Sequence, residues 1–380
     1  MTASASPTAT VDNAAIAQVA ERATARWLSE APILAIGLAL FAVCVGLLLS
    51  KGVPPSLDGV WVNARLFGLF VMLIGAVDAG IQLTRYRPDS PVEHLKALYF
   101  SPAARATMAA GAPMLAVAIV LLPFFSKMKA AIPLFTEYTW DSAFIAWDRA
   151  IFFGYDAWEV LQPVLGYPLV TAFLALLYQL WFLLLYPGVL FFAFARIDHS
   201  VRRQFFLTYV LSWTVIGGLM ATWLASVGPC FVSPMLGNPS FDDQMAYLNA
   251  ANEQIPVMTL SVQAMLLEWY AADANGLGSG ITAMPSMHCA IAFLYWIAMR
   301  RISARWGAFF GVFFFITWAS SVHLAYHYAV DGLVSLIAVA AIWAASQRVI
   351  AAWDAWLNAR SNRSQTLPQA ALRTNTAPAE

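Results

Sequence analysis

The apolar residues of this chain come in blocks of 18 or more, long enough to cross a hydrocarbon core about 30 Å thick. Eight spans are expected, near residues 32–50, 60–83, 105–126, 167–195, 204–227, 285–299, 306–325 and 331–349. The sixth is short and starts at a proline, a residue tolerated in the first turn of a helix. Composition agrees: 61% of residues are hydrophobic and only 11% charged, with a mean hydropathy of +0.67. Soluble domains carry roughly 25% charged residues, so a water-soluble fold could not cover its surface with these. The expected fold is all-α, a polytopic membrane helix bundle of about eight transmembrane helices.

The basic residues orient it. Positive charge concentrates in cytoplasmic loops. With the N-terminus inside, Arg22, Arg26, Arg85, Arg87, Lys96 and Arg105 are cytoplasmic. So are Arg196, Arg202, Arg203, Arg300, Arg301 and Arg305, and in the tail Arg348, Arg360, Arg363 and Arg373. Only Lys51, Arg65, Lys127, Lys129 and Arg149 remain toward the outside. Both termini are therefore expected in the cytoplasm, with two long outer loops at 127–166 and 228–284. The second holds Asp242, Asp243, Glu253, Glu268 and Asp273 but no Lys or Arg. The first holds WDSAFIAWDRAIFFGYDAWEVLQ, whose aromatics suit a helix resting in the membrane interface.

Formal net charge is zero, which leaves no nucleic-acid footprint. Cys44, Cys230 and Cys289 are scattered, without CxxC or Cys/His zinc spacing, so neither a metal nor a cofactor is expected. The N-terminus lacks the basic start, short apolar core and cleavage site of a removable signal peptide. Residues 14–30 read as an amphipathic helix on the membrane surface.

Chemistry is expected at the outer face, where the topology gathers His288, His323, His327 and Asp331. His94 and His199 fall in cytoplasmic loops. His327 and Asp331 are four residues apart, one turn along a helix face. A carboxylate at that spacing can hold one imidazole nitrogen and leave the other free to attack. His288 follows Pro285 and Ser286 at a helix start, where free N–H groups and the positive dipole end favour an anion. Together these suit phosphoryl transfer, which depends mainly on positioning and charge stabilisation. His323, a turn before His327, reads as structural, and intramembrane Asp78 as a residue reaching out to water.

The segments GITAMPSMHCA (280–290) and SSVHLAYHYAVDG (320–332) resemble the second and third signature motifs of the type 2 phosphatidic acid phosphatase superfamily. The Met-Pro-Ser-Met-His and His-x-x-x-Asp patterns are most similar to the inositol phosphorylceramide synthase branch, which transfers inositolphosphoryl groups. WDRAIFFG (147–154) resembles an earlier stretch of that branch, and the first hundred or so residues resemble nothing in it. The resemblance implies that His327 attacks phosphorus to form a phosphohistidine, that Asp331 orients it, and that His288 protonates the leaving group and then activates the acceptor. It further implies that Ser286 and nearby backbone N–H groups bind phosphate oxygens. The phosphatase branch's upstream Lys-x6-Arg-Pro motif is missing, and Ser320-Ser321 stands where its third motif begins Ser-Arg. With two cationic clamps absent, Arg149 is the expected substitute.

The resemblance thus implies a lipid phosphotransferase in the inner membrane with an extracytoplasmic site, taking a phospholipid donor and a lipid alcohol acceptor. Its nearest rival is a lipid phosphate or polyprenyl pyrophosphate phosphatase. A haem- or metal-binding carrier and a transporter are rivals of other classes. Protein partners are not legible. The organisation reads as a disordered or amphipathic cytoplasmic N-terminus (1–31), N-terminal transmembrane helices (32–126), a catalytic phosphatase-like bundle with outer loops (127–350), and a cytoplasmic, mostly disordered tail (351–380).

Overall fold

In hydrocarbon there is no water to bond an exposed backbone, so apolar blocks of this length satisfy their N–H and C=O groups by coiling into helices. The computed structural model describes residues 13–272 and 280–373, with side chains over 26–272 and 280–362, and every regular element among them is helical. Asp273 of the acidic loop lies outside the described residues, as do 1–12 and 374–380.

Helices α1 (Asn13–Ser50) and α2 (Asp58–Tyr86) lead to a short helix, α3 (Pro91–Tyr99), and then α4 (Pro102–Ala130). Two more short helices, α5 (Asp141–Ile151) and α6 (Ala157–Leu165), precede α7 (Pro168–Phe194). The next span starts as α8 (His199–Leu211), winds through a π-helical segment, Ser212–Met220, and closes as α9 (Ala221–Trp223). Helices α10 (Pro229–Leu236), α11 (Asp242–Gln254) and α12 (Met258–Ala271) follow. The last three are α13 (Met287–Met299), α14 (Ala304–His323) and α15 (Ala329–Arg373).

Among the described residues seven helices are long and apolar enough to cross a membrane. The sixth expected span, 285–299, is α13, which has only 13 residues and so is about 20 Å long. It is enclosed by α7, α8, α14 and α15, with Cys289, Ala290, Ile291, Ala292 and Leu294 fully buried. Its apolar run reflects packing inside the bundle more than contact with lipid. The surface helix expected at 14–30 is continuous with the first span in α1, and α15 runs on to Arg373 through the polar stretch after residue 350.

Two cores divide the molecule. The larger fills the bundle between α4, α7, α8, α13, α14 and α15, and includes Phe192, Phe205, Tyr209 and Phe314. The smaller, with Phe144, Tyr178, Phe231, Phe241 and Tyr328, lies where α5, α10 and α11 cap one end. Helices α1 and α2 pack on α4 at the periphery, leaving Leu38, Leu69, Met72 and Val77 exposed, as lipid-facing positions are. At the end opposite the cap, Glu30 lies 3.4 Å from both Arg26 and Arg202, and Arg203 grips Asp354 through two bonds of 2.9 Å.

Candidate active site

The site forms where the two cores meet. Helix α14 ends at His323, and the chain turns before α15 starts at Ala329. The Ser321 carbonyl accepts from the N–H groups of both Tyr326 and His327, and the Ala325 carbonyl accepts from Cys230. Gly228 makes this turn possible, because it adopts φ +90°, and a Cβ there would lie 2.6 Å from the Tyr326 carbonyl oxygen.

Within this frame His327 Nδ1 lies 3.0 Å from Asp331 Oδ2, and both side chains are buried. The same Asp331 oxygen accepts from the Tyr328 N–H at 3.1 Å, which fixes the carboxylate in turn. Burial pushes the His327 imidazole down to about 3, aided by the nearby Lys129 charge and opposed by a hydrogen bond with the Ala283 backbone. A neutral, oriented imidazole is the form that can act as a nucleophile.

His288 sits in the first turn of α13. Its ring stacks on Tyr178 at 4.2 Å, leans on Trp181 at 4.1 Å, and meets Phe182 edge-on at 5.3 Å. Tyr178 also stacks on Tyr326 at 5.2 Å, so one aromatic plate joins the two histidine-bearing segments. His288 Nε2 is buried without a partner.

Both histidines line one cavity of about 300 Å³, together with Tyr178, Trp181, Thr282 and Lys129. Among the described residues Lys129 is the only Lys or Arg on its wall, and it makes no ion pair. Gly280 brings it there, because at φ +88° a Cβ would lie 2.7 Å from the Lys129 carbonyl carbon, so only glycine lets the 280–285 strand of chain meet the end of α4. Thr282 Oγ1, like His288 Nε2, is a buried polar atom lacking a hydrogen bond. Leaving such atoms unpaired costs about 1–3 kcal/mol each, so the cavity presents polar groups with bonding capacity to spare beside the Lys129 side chain.

Two carboxylates from α5 hold this assembly from behind. Asp148 accepts from the N–H groups of Ala329 and Val330 at 2.7 and 2.9 Å, capping the first turn of α15. Burial lifts its carboxyl to about 7. Asp141 accepts from the N–H groups of Val227 and Gly228 and from the Tyr328 hydroxyl at 2.7 Å. Both lie in the motif WDSAFIAWDR, seven residues apart, which is two turns along one face of a helix. The spacing was the available signal for them.

The sequence candidates are therefore distributed as follows. His288 and His327 share the cavity, and Asp331 backs His327. Ser286 is fully buried and serves as the N-cap of α13, accepting from Cys289 at 3.4 Å; it is not on the cavity wall. Arg149 is half-exposed and binds both oxygens of Asp156, at 2.8 and 3.0 Å, away from the cavity. His323 Nε2 pairs with Thr171 Oγ1 at 2.9 Å, and Asp78 accepts from the Tyr99 hydroxyl at 2.6 Å. Among the described residues no group of three or more His, Cys, Asp or Glu could hold a metal ion.

Comparison with known proteins finds no curated protein and no solved structure that matches. A family model does match: the PAP2 superfamily, over residues 142–345, from the start of α5 into α15. That stretch is more than half of the chain and holds His288, His327 and Asp331, so this membrane protein belongs to the PAP2 superfamily of phosphatases and phosphotransferases.

Proposed function

We propose that this protein is a lipid phosphotransferase that moves a phosphorylated head group, inositolphosphoryl-like in kind, from a membrane phospholipid to a lipid alcohol. The His327 Nε2 attacks phosphorus as the bond to the leaving lipid oxygen breaks. His288 donates the proton that oxygen needs, and the arriving phosphate anion favours the protonated imidazole. In the second half His288 takes the acceptor hydroxyl proton, the new oxygen–phosphorus bond forms, and the phosphohistidine bond breaks. Acid-base catalysis of this kind contributes about 10²–10⁴-fold. Asp331 keeps Nδ1 engaged throughout, and Lys129 faces the charge on the phosphate. By the distribution of basic residues the site opens on the extracytoplasmic face of the inner membrane.

The observation that carries this reading is the single Lys or Arg, Lys129, on the cavity wall among the described residues. A phosphomonoester brings two negative charges and a phosphodiester one, so a lone lysine matches the diester. Walls of Tyr178, Trp181 and Phe182 also restrict water, the acceptor that would make the reaction a hydrolysis.

The test uses purified protein in vesicles with phosphatidylinositol and either ceramide or diacylglycerol, set against phosphatidic acid. Transfer to the lipid alcohol, abolished by His327→Ala at unchanged thermal stability, is the expected result. Free phosphate from phosphatidic acid without transfer would replace this reading with a lipid phosphatase using the same residues.

A further inference from the structure

A second cavity, of about 500 Å³, lies beside the first between α1, α4 and the π-helical segment. Its walls are almost wholly apolar, with Gly37, Leu38 and Phe41 from α1 facing Val117 and Phe124 from α4. Along α4 it reaches from Pro113 to Met128, about 22 Å at 1.5 Å per residue. Met128 adjoins Lys129, so the end of the second cavity lies beside the cation of the first.

The two cavities share a partition. Phe125 and Trp213 line both, with ring centroids 4.5 Å apart in an edge-to-face contact. Phe125 reaches this place because Gly217 has no side chain: a Cβ there would lie 2.4 Å from the Phe125 ring and 3.0 Å from Met287 Sδ. Gly217 belongs to the π-helical segment, which also gives Trp213 to both cavities and Gly218 to the second. Such π segments often accompany functional sites. Here the wider turn sets Gly217 against Phe125 and leaves Gly218 facing open space.

We infer that the second cavity holds a hydrocarbon chain of the lipid whose phosphate occupies the first. This rests on the phosphotransfer reading above. A phosphate held at Lys129 and the histidines belongs to a molecule whose chain must leave toward hydrocarbon, and the apolar groove between α1 and α4 lies directly across the Phe125–Trp213 partition. Lipid tails are as apolar as leucine, so the groove gains little from burial itself; it fixes where the chain runs and thus where the head group stops. Helices α1 and α4 both fall wholly outside the stretch matched by the family model. Their role on this view is to build a chain site onto the catalytic bundle.

Two variants narrow the groove from two different elements of its wall. At Gly218 an added Cβ meets nothing nearer than 3.9 Å, so Gly218→Leu fills open space, and Val117→Trp fills it from α4. Each would be assayed in detergent with two donors that share a head group, one short-chain and one long-chain. The expected result is a loss of roughly ten-fold or more in kcat/KM for the long-chain donor, with the short-chain donor within about two-fold of wild type. A long-chain donor carrying a photoactivatable group near its chain end should also label peptides of α1 or α4. Equal kinetics on both donors, or label confined to other helices, would mean that ordinary bilayer lipid fills the groove and would overturn the inference. Wild-type protein inactive on both donors would instead overturn the phosphotransfer reading, and this inference with it.

Discussion

Replacing Asp148 with Asn tests how the catalytic turn is held in place. The carboxylate is 4% exposed and its two oxygens cap the first two N–H groups of α15, the helix that carries Asp331. Its carboxyl titrates at about 7 in the folded protein against an ordinary 3.8, with burial the main cause and the two backbone N–H groups opposing it. The folded state therefore binds the proton more tightly than the unfolded state between those values. Stability contributed by this group is present in full below about pH 4, falls as pH rises to about 7, and is level above that. The interval corresponds to about 4 kcal/mol. Thermal or denaturant unfolding in detergent, measured from pH 4 to 8, should show wild type losing stability relative to Asp148→Asn as pH rises through that window. The amide also puts an NH₂ where one backbone N–H needs an acceptor, so α15 shifts at its start. Misplacing catalytic groups by about 1 Å can cost 10²-fold, and a loss of roughly 10–100-fold in kcat with little change in KM is expected. Parallel stability curves together with an unchanged kcat would refute the role assigned to this residue.

Other consequences are more local. Lys129→Met removes the one Lys or Arg that the described residues place on the cavity wall and should lower kcat/KM by roughly 10²–10³-fold, the usual effect of losing one charge-stabilising group; retention of activity would place the phosphate elsewhere. Gly228→Ala forces a side chain to within 2.6 Å of the Tyr326 carbonyl at φ +90°, and should destabilise the protein by about 2 kcal/mol or more in denaturant unfolding. Arg149→Gln breaks a half-exposed pair with Asp156, so stability should fall by no more than about 1 kcal/mol and phosphoryl transfer should continue at near wild-type rate.

Much of this arrangement was legible in the sequence, because its strongest signals are local. Apolar blocks mark the spans through length alone, and only α13 departs, since burial among helices and immersion in lipid favour the same residues. His327 and Asp331 are one turn apart, so their pairing follows from helix geometry. Lys129 was not legible as a site residue. It reaches the cavity because Gly280, some 150 residues later, lets a distant segment touch the end of α4. Ser286 and Arg149 show the converse. Both have the right chemistry for binding phosphate, yet a helix N-cap engages one and Asp156 the other. The paired Trp-Asp steps of α5 were visible as an interfacial motif, while their use as backbone acceptors depends on where the turns at 227–228 and 328–330 pass.

The most direct measurement is to trap the covalent intermediate. Purified protein would be mixed with a donor labelled in its phosphoryl group, quenched in base, and the peptides mapped by mass spectrometry. The expected result is an acid-labile phosphoryl group on His327, discharged by a lipid alcohol and missing from His327→Ala. Label on another residue, or transfer that survives in His327→Ala, would contradict the mechanism.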